Sequence, residues 1–263
     1  LEVAGEIVDG DFAGSLLKKG DMVCALVQGG GYAEYLVVHE RQAMRVPSNI
    51  SVNDAAAIPE VFITAWDALV VQGGLTSGRI ALVHAGASGV GTAAIQICKA
   101  IGARIVVTCS GGKVNACRAL GADVVVDYGT QDFVAEVATA TGGAGVDVIL
   151  DVIGGDYVER NIASLAVKGH IIQVGVMAGK PVPLNIGLLL GKRASITGTV
   201  LRARPLEEKI AISQRFASEM LPLFSTGQLK PVIDSVFAFA DIASAHEYMA
   251  SNGNVGKIVI TVA

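Results

Sequence analysis

The turn at residues 84–91, HAGASGVG, constrains this chain more than any other stretch. Ahead of it, RIALVH (residues 79–84) is a short apolar run of the kind that makes a buried parallel strand. Behind it, apolar residues recur at Ile95, Ile97, Cys98 and Ile101, and Gly102 stops the pattern, which predicts a glycine-capped helix. A strand, a glycine turn and a helix in that order bring unpaired backbone N–H groups and a helix N-terminus to one point. Such a point suits a diphosphate. Gly86 lets the chain leave the strand sharply. Gly89 keeps a side chain away from a pyrophosphate, and Gly91 lets the helix pack against the strand. The spacing is Gly-x-x-Gly-x-Gly, not the usual dinucleotide Gly-x-Gly-x-x-Gly, so the flanking strand and helix carry as much of the reading as the glycines.

A second strand, RIVVTC at residues 104–109, ends where a ribose would lie. An NAD enzyme needs an Asp or Glu there to accept from the 2′-hydroxyl. No Asp or Glu occurs between Asp67 and Asp123, and the strand runs into Ser110-Gly111-Gly112-Lys113. A hydroxyl, two bare backbone positions and a cation suit a 2′-phosphate, so the expected cofactor is NADP(H) rather than NAD(H). Read alone, Lys113 is equally a solvated first-turn lysine.

From residue 79 onward strands and helices alternate. Strands are expected at 123–128, 146–153, 170–176 and 194–200, and helices at 113–120, 132–141 and 156–166. That order means a doubly wound parallel α/β sheet, with ligands beyond the carboxyl ends of its strands. Before it, strand-like runs at 3–8, 21–27 and 32–38 lack intervening helices and suggest a small antiparallel barrel or sandwich. A short helix is expected at 52–59 with Asn53 as N-cap, then an amphipathic helix at 64–71. After the sheet come a long helix at 205–224, strands at 232–237 and 256–262 that complete the first domain's sheet, and a helix at 242–250.

With 263 residues, 52% of them hydrophobic, the chain can bury a large core. A net charge of −4 with no basic run argues against nucleic acid as the main partner. No apolar stretch reaches a membrane span, and a cytoplasmic location is expected. Cys24, Cys98, Cys109 and Cys117 form no Cys-x-x-Cys and no zinc-lobe spacing, so each is expected to be a small buried hydrophobe in a reducing compartment. Of the four histidines, only His84 lies beside the turn, where it is placed to touch a cofactor; the others read as structural or surface residues.

Together LEVAGE (1–6), AAAIP (55–59), TAW (64–66), VHAGASGVGT (83–92), LGAD (120–123) and NVGKIV (254–259) resemble the medium-chain dehydrogenase/reductases, in their zinc-free quinone oxidoreductase branch. The turn and GVMAG (175–179) resemble the zeta-crystallin-related, stress-inducible subgroup. The resemblance implies a Rossmann-type domain at 62–205 inserted in a GroES-like β domain built from 1–61 and 206–263. It also implies that catalytic-domain strands carrying an Asn and a Tyr near the nicotinamide precede Leu1. The zinc-dependent relatives carry Gly-His-Glu where this chain has Leu1-Glu2, so no metal is expected.

Carried over by that resemblance, Gly86, Ser88, Gly89, Val90 and Gly91 bind the pyrophosphate. Ser110, Lys113 and Tyr128 hold the 2′-phosphate, and Ile153 packs near the adenine. Val174, Gly175, Val176, Met177 and Leu201 border the nicotinamide ribose and ring. Thr64 lies near the carboxamide, and Asn254 and Lys257 close the cleft. Thr64 as a helix N-cap, Tyr128 as a strand-end aromatic and Lys257 as a solvated edge residue are the plain alternatives. No catalytic acid is assignable. The expected reaction is NADPH-dependent reduction of a quinone or activated enone by a homodimer paired through residues 194–200. An enoyl-thioester reductase and a catalytically silent NADPH-binding protein are the rival readings.

Overall fold

The computed structural model describes residues 1–12 and 15–262. It divides into two compact units, Leu1–Ile63 with Leu201–Ala263, and Thr64–Val200.

The first unit opens with an antiparallel sheet of β1 (Glu2–Glu6), β2 (Met22–Leu26) and β3 (Ala43–Arg45), in that spatial order. Cys24, Ala25 and Leu26, consecutive in β2, are buried on both faces of the sheet. The run at 32–38 is not a strand. Tyr35 is 75% and Val37 99% exposed. Strand propensity describes fit to a half-buried pleated surface, and no described strand pairs with this run. Helix α1 (Val52–Ala55) is capped by Ser51, whose Oγ accepts from the Asp54 N–H at 3.1 Å, rather than by Asn53. Helix α2 (Pro59–Trp66) starts five residues before the expected Thr64, because a proline at the first helical position has the right φ and no N–H to waste. A π-helical segment, Asp67–Gln72, continues it.

The second unit holds β4 (Ile80–Val83), α3 (Gly89–Ile101), β5 (Arg104–Cys109), α4 (Val114–Ala119), β6 (Val124–Asp127), α5 (Phe133–Thr141), β7 (Val146–Asp151), α6 (Tyr157–Ser164), β8 (Leu165–Gln173), α7 (Ile186–Lys192) and β9 (Ser195–Gly198). Its six strands are parallel in the order β6-β5-β4-β7-β8-β9. The order reverses between β4 and β7, and beyond that switch point an open α/β sheet binds its ligand. Leu82, Val106, Val126, Ile149 and Ile171 from five strands pack with Phe133, Val137 and Ile162 of the helices. Each such buried side chain stabilises by about 1.5–3 kcal/mol. Helix α7, capped by Asn185 Oδ1 on the Leu188 N–H, has no counterpart in the sequence reading. Strand β8 begins earlier than expected, at Leu165.

The chain then returns to the first unit through α8 (Leu206–Glu219) and α9 (Leu221–Ser225), where one long helix was expected. Met220, at φ −112°, separates them, and Pro222 has no N–H to carry the helical ladder across the junction. The rings of Phe224 in α9 and Phe62 in α2, both at most 2% exposed, meet edge-on at 4.8 Å. Strands β10 (Ile233–Ala238) and β11 (Lys257–Thr261), with α10 (Ile242–Ala250) between them, pair in parallel as a separate two-stranded sheet. They do not extend the first sheet, contrary to expectation, because their ladder bonds run only to each other.

Candidate functional site

The turn between β4 and α3 is shaped by close approaches. A Cβ on Gly91 would sit 2.3 Å from the Ala85 carbonyl oxygen, and one on Gly86 2.6 Å from Val107 Cβ on β5. Gly91 therefore lets the helix start close on the turn itself, and Gly86 lets the turn lie on the neighbouring strand. The left-handed residue is Ala85, at φ 57°, so the sharp exit expected of Gly86 falls one residue earlier. Ser88 caps the helix, its Oγ accepting from the Gly91 N–H at 3.0 Å, and its carbonyl takes the Thr92 N–H at 2.8 Å. The Gly86 N–H is held by the Thr108 carbonyl at 2.8 Å. The first-turn amides of Gly89 and Val90 are those that helix geometry leaves without an intrahelical acceptor. Two such amides at the positive end of a thirteen-residue helix, with a glycine as the first helical residue, fit a diphosphate.

Apart from Thr64, the other predicted residues of this unit come from the ends of successive strands. Ser110 and Lys113 follow β5 in a short 3-10 turn, Gly111–Lys113. Tyr128 follows β6, 49% exposed, its N–H on the Cys109 carbonyl at 3.1 Å. Ile153 follows β7, and Val174, Gly175, Val176 and Met177 follow β8, with Val176 and Met177 69% and 77% exposed. The parallel sheet thus gathers them along one edge.

The structure adds one charge that the sequence reading did not weigh. The β5–β6 register sets Cys109 against Asp127, and the Asp127 carboxylate lies against Gly111: a Cβ there would be 2.7 Å from Oδ2. Its oxygens accept from the Gly129 N–H at 3.0 Å and the Thr130 hydroxyl at 3.2 Å. The absence of acids between Asp67 and Asp123 held in sequence, but the adjacent strand supplies one in space.

His84 does not face the turn as an available group. It is 1% exposed, and both ring nitrogens are taken, by Thr108 and Asn161. Thr64 lies inside α2, not at its start, which removes the N-cap reading.

In the first unit, Lys257 is no solvated edge residue. Its Nζ is 2.6 Å from Glu2 Oε1, and the Glu2 side chain is 8% exposed. Glu2 Oε2 accepts from the Glu60 N–H at 2.8 Å. The Glu60 carboxyl is pushed up to about 7 by burial first and by the Glu2 charge second, and its Oε2 is buried without a hydrogen-bond partner. These three residues line a groove of about 1470 Å³ together with Tyr32 and Tyr35. Asn254 donates from Nδ2 to the Gly256 carbonyl at 2.9 Å, and Leu201 is 8% exposed.

The four cysteines are free and buried, and burial pushes the Cys24, Cys98 and Cys117 thiols up to about 12. Among the described residues no three of His, Cys, Asp and Glu converge to hold a metal, and no helix is long and apolar enough to cross a membrane.

Residues 120–260 match the zinc-binding dehydrogenase family. The zebrafish mitochondrial NAD(P)H oxidoreductase RTN4IP1 is 41% identical over 134 residues, 48% of this chain and 35% of that protein. The chloroplast envelope quinone oxidoreductase homolog of Arabidopsis thaliana is 36% identical over 142 residues, 51% of this chain and 43% of that protein. The chain therefore matches less than half the length of these curated relatives. A mycobacterial protein solved with NADPH superposes with a TM-score of 0.88 at 26% identity, over 99% of this chain and 81% of that one.

Proposed function

This chain belongs to the zinc-binding dehydrogenase family of oxidoreductases, in its zinc-free, quinone oxidoreductase-like branch, and from that premise we propose that it binds NADP(H) and reduces quinones or similarly activated enones. The observation that carries the reading is the rim of the parallel sheet: a capped glycine turn followed, one strand along, by Ser110 and Lys113. The Gly89 and Val90 amides and the Ser88 cap hold the diphosphate. Ser110, Lys113 and Tyr128 hold the 2′-phosphate, and Ile153 borders the adenine. Val174, Gly175, Val176, Met177, Leu201, Thr64, Asn254 and Lys257 are assigned to the nicotinamide side. The bound dinucleotide supplies a hydride. The protein's own task is to orient the ring and exclude water. A quinone is already a strong electron acceptor, so it needs little acid assistance. The domains run 1–61 with 206–263, and 62–205, and two copies pair along β9, the edge strand.

The experiment is a competition of cofactors. Lys113→Glu should weaken NADPH by tenfold or more, a charged contact being worth about 1.5–3 kcal/mol, while NADH changes little. Equal weakening of both removes the phosphate role. Asp127 sharpens this test. Because its carboxylate borders the same loop, Asp127→Asn should improve NADPH relative to NADH. Steady-state turnover of an ortho-quinone against a crotonyl thioester settles the substrate class. Thioester turnover alone would assign an enoyl reductase instead.

A further inference from the structure

Beneath the rim runs a chain of buried polar side chains to which the proposed function assigns no part. His84 Nδ1 is 3.0 Å from Thr108 Oγ1 on β5, and Nε2 is 2.7 Å from Asn161 Oδ1 on α6. Asn161 Nδ2 donates to Asp151 Oδ2, at the end of β7, at 2.9 Å. Asp151 Oδ1 accepts the Ile153 N–H at 2.6 Å, and the Gly154 N–H lies 3.1 and 3.2 Å from the two carboxylate oxygens. Asp151 and Asn161 are 0% exposed, and Thr108 and His84 1%.

The partners fix the protons. An amide oxygen only accepts, so Nε2 of His84 carries the hydrogen, and Nδ1 accepts from the Thr108 hydroxyl. The ring is neutral, since burial holds its pKa below the usual imidazole value. Phe133 and Tyr157 close on it edge-on at 4.9 and 4.7 Å, which bars rotation. With every member satisfied, such a network specifies one arrangement rather than several.

Its two ends decide its use. At one end the Asp151 carboxylate folds back on the amides two and three residues ahead, the aspartate turn that forces a tight reversal. That reversal runs through Ile153 and Gly154, with Gly154 at φ 65°. At the other end Thr108 is tied twice to the glycine turn, by its hydroxyl to His84 and by its carbonyl to the Gly86 N–H. The loops after β4 and β7, which flank the switch point, are thus held in a common register by one buried path.

We propose that His84, Asn161 and Asp151 are positioning residues for the adenosine half of the dinucleotide: without touching it, they lock the Ile153–Gly154 reversal against the glycine turn. This rests on the NADP(H) reading and says which residues preset its adenosine subsite.

The test is calorimetric titration of the full chain with 2′,5′-ADP, which carries the adenosine and the 2′-phosphate alone, beside thermal denaturation. Asn161→Leu keeps the branching at Cγ and cuts the path. It should weaken 2′,5′-ADP tenfold or more at a temperature where the variant is fully folded. His84→Phe should do the same, while His84→Gln, whose amide can accept from Thr108 and donate to Asn161, should return affinity to within threefold of the parent. Lowered melting temperatures with unchanged affinity overturn the proposal and leave the path a core element only. If the leucine and phenylalanine variants fail to fold, Thr108→Val is read by amide exchange instead. Selective acceleration at Ile153 and Gly154 supports the proposal, and unchanged exchange there overturns it. A parent chain that binds neither 2′,5′-ADP nor NADPH overturns the cofactor reading itself, which separates the two failures.

Discussion

Ala85 occupies a left-handed backbone position at the turn on which the site depends. That conformation costs an L-residue about 1–2 kcal/mol, and glycine's greater freedom in the unfolded chain offsets about 0.5–1 of it. Ala85→Gly should therefore raise stability by up to about 1.5 kcal/mol, read from the denaturant midpoint; a clear loss would show that Ala85 is not strained. The thiols give a second check at this scale. Buried and held protonated, all four should resist an aromatic disulfide reagent in the native protein and react together on unfolding. Partial labelling under native conditions would mean that a core strand or helix opens locally. The residues legible in the sequence were those fixed by local spacing: Ser88, Gly89 and Gly91 belong to one turn, and Ser110 and Lys113 to the next. Asp127 and the partners of His84 were not legible. They meet across strands through the register of the sheet, and no local period encodes that.

Among elements, the parallel sheet was readable because βα alternation and apolar runs repeat. The first unit was harder. Residues 32–38 have the composition of a strand and Val37 lies fully exposed, whereas β3, three residues long, leaves too short a pattern to detect. Three separate elements, β1, α2 and β11, meet at Glu2, Glu60 and Lys257. The Glu60 carboxyl is raised in the folded state from about 4.5 to about 7, so the folded protein holds its proton more tightly than the unfolded chain. Stability from this group is present below about pH 4.5 and lost as pH climbs to about 7. Glu60→Gln should consequently match the parent near pH 4 and exceed it at pH 8 by up to about 3 kcal/mol. Parallel stability curves for the two proteins would mean that Glu60 ionises freely. Lys257→Met removes the cation from a carboxylate that is 8% exposed and should destabilise by about 3 kcal/mol or more, measured by denaturant titration.

For the molecule as a whole, β9 closes one end of the six-stranded sheet, with no strand on its outer side among the described residues, and Val200 just beyond it is 60% exposed. Pairing of two copies there predicts a dimer by light scattering at micromolar concentration, and Ile196→Lys should shift it to monomer; a monomeric parent contradicts the pairing. The split of the chain has a further consequence, in time rather than space. Residues 64–200 are continuous, but the other unit is split in sequence and closes only when β11 has brought Lys257 to Glu2. During synthesis the continuous unit can thus acquire protease resistance on the ribosome, whereas the divided one must wait for β11 to emerge. A nascent chain halted shortly before β11 should be cut within residues 1–63 and spared within 64–200.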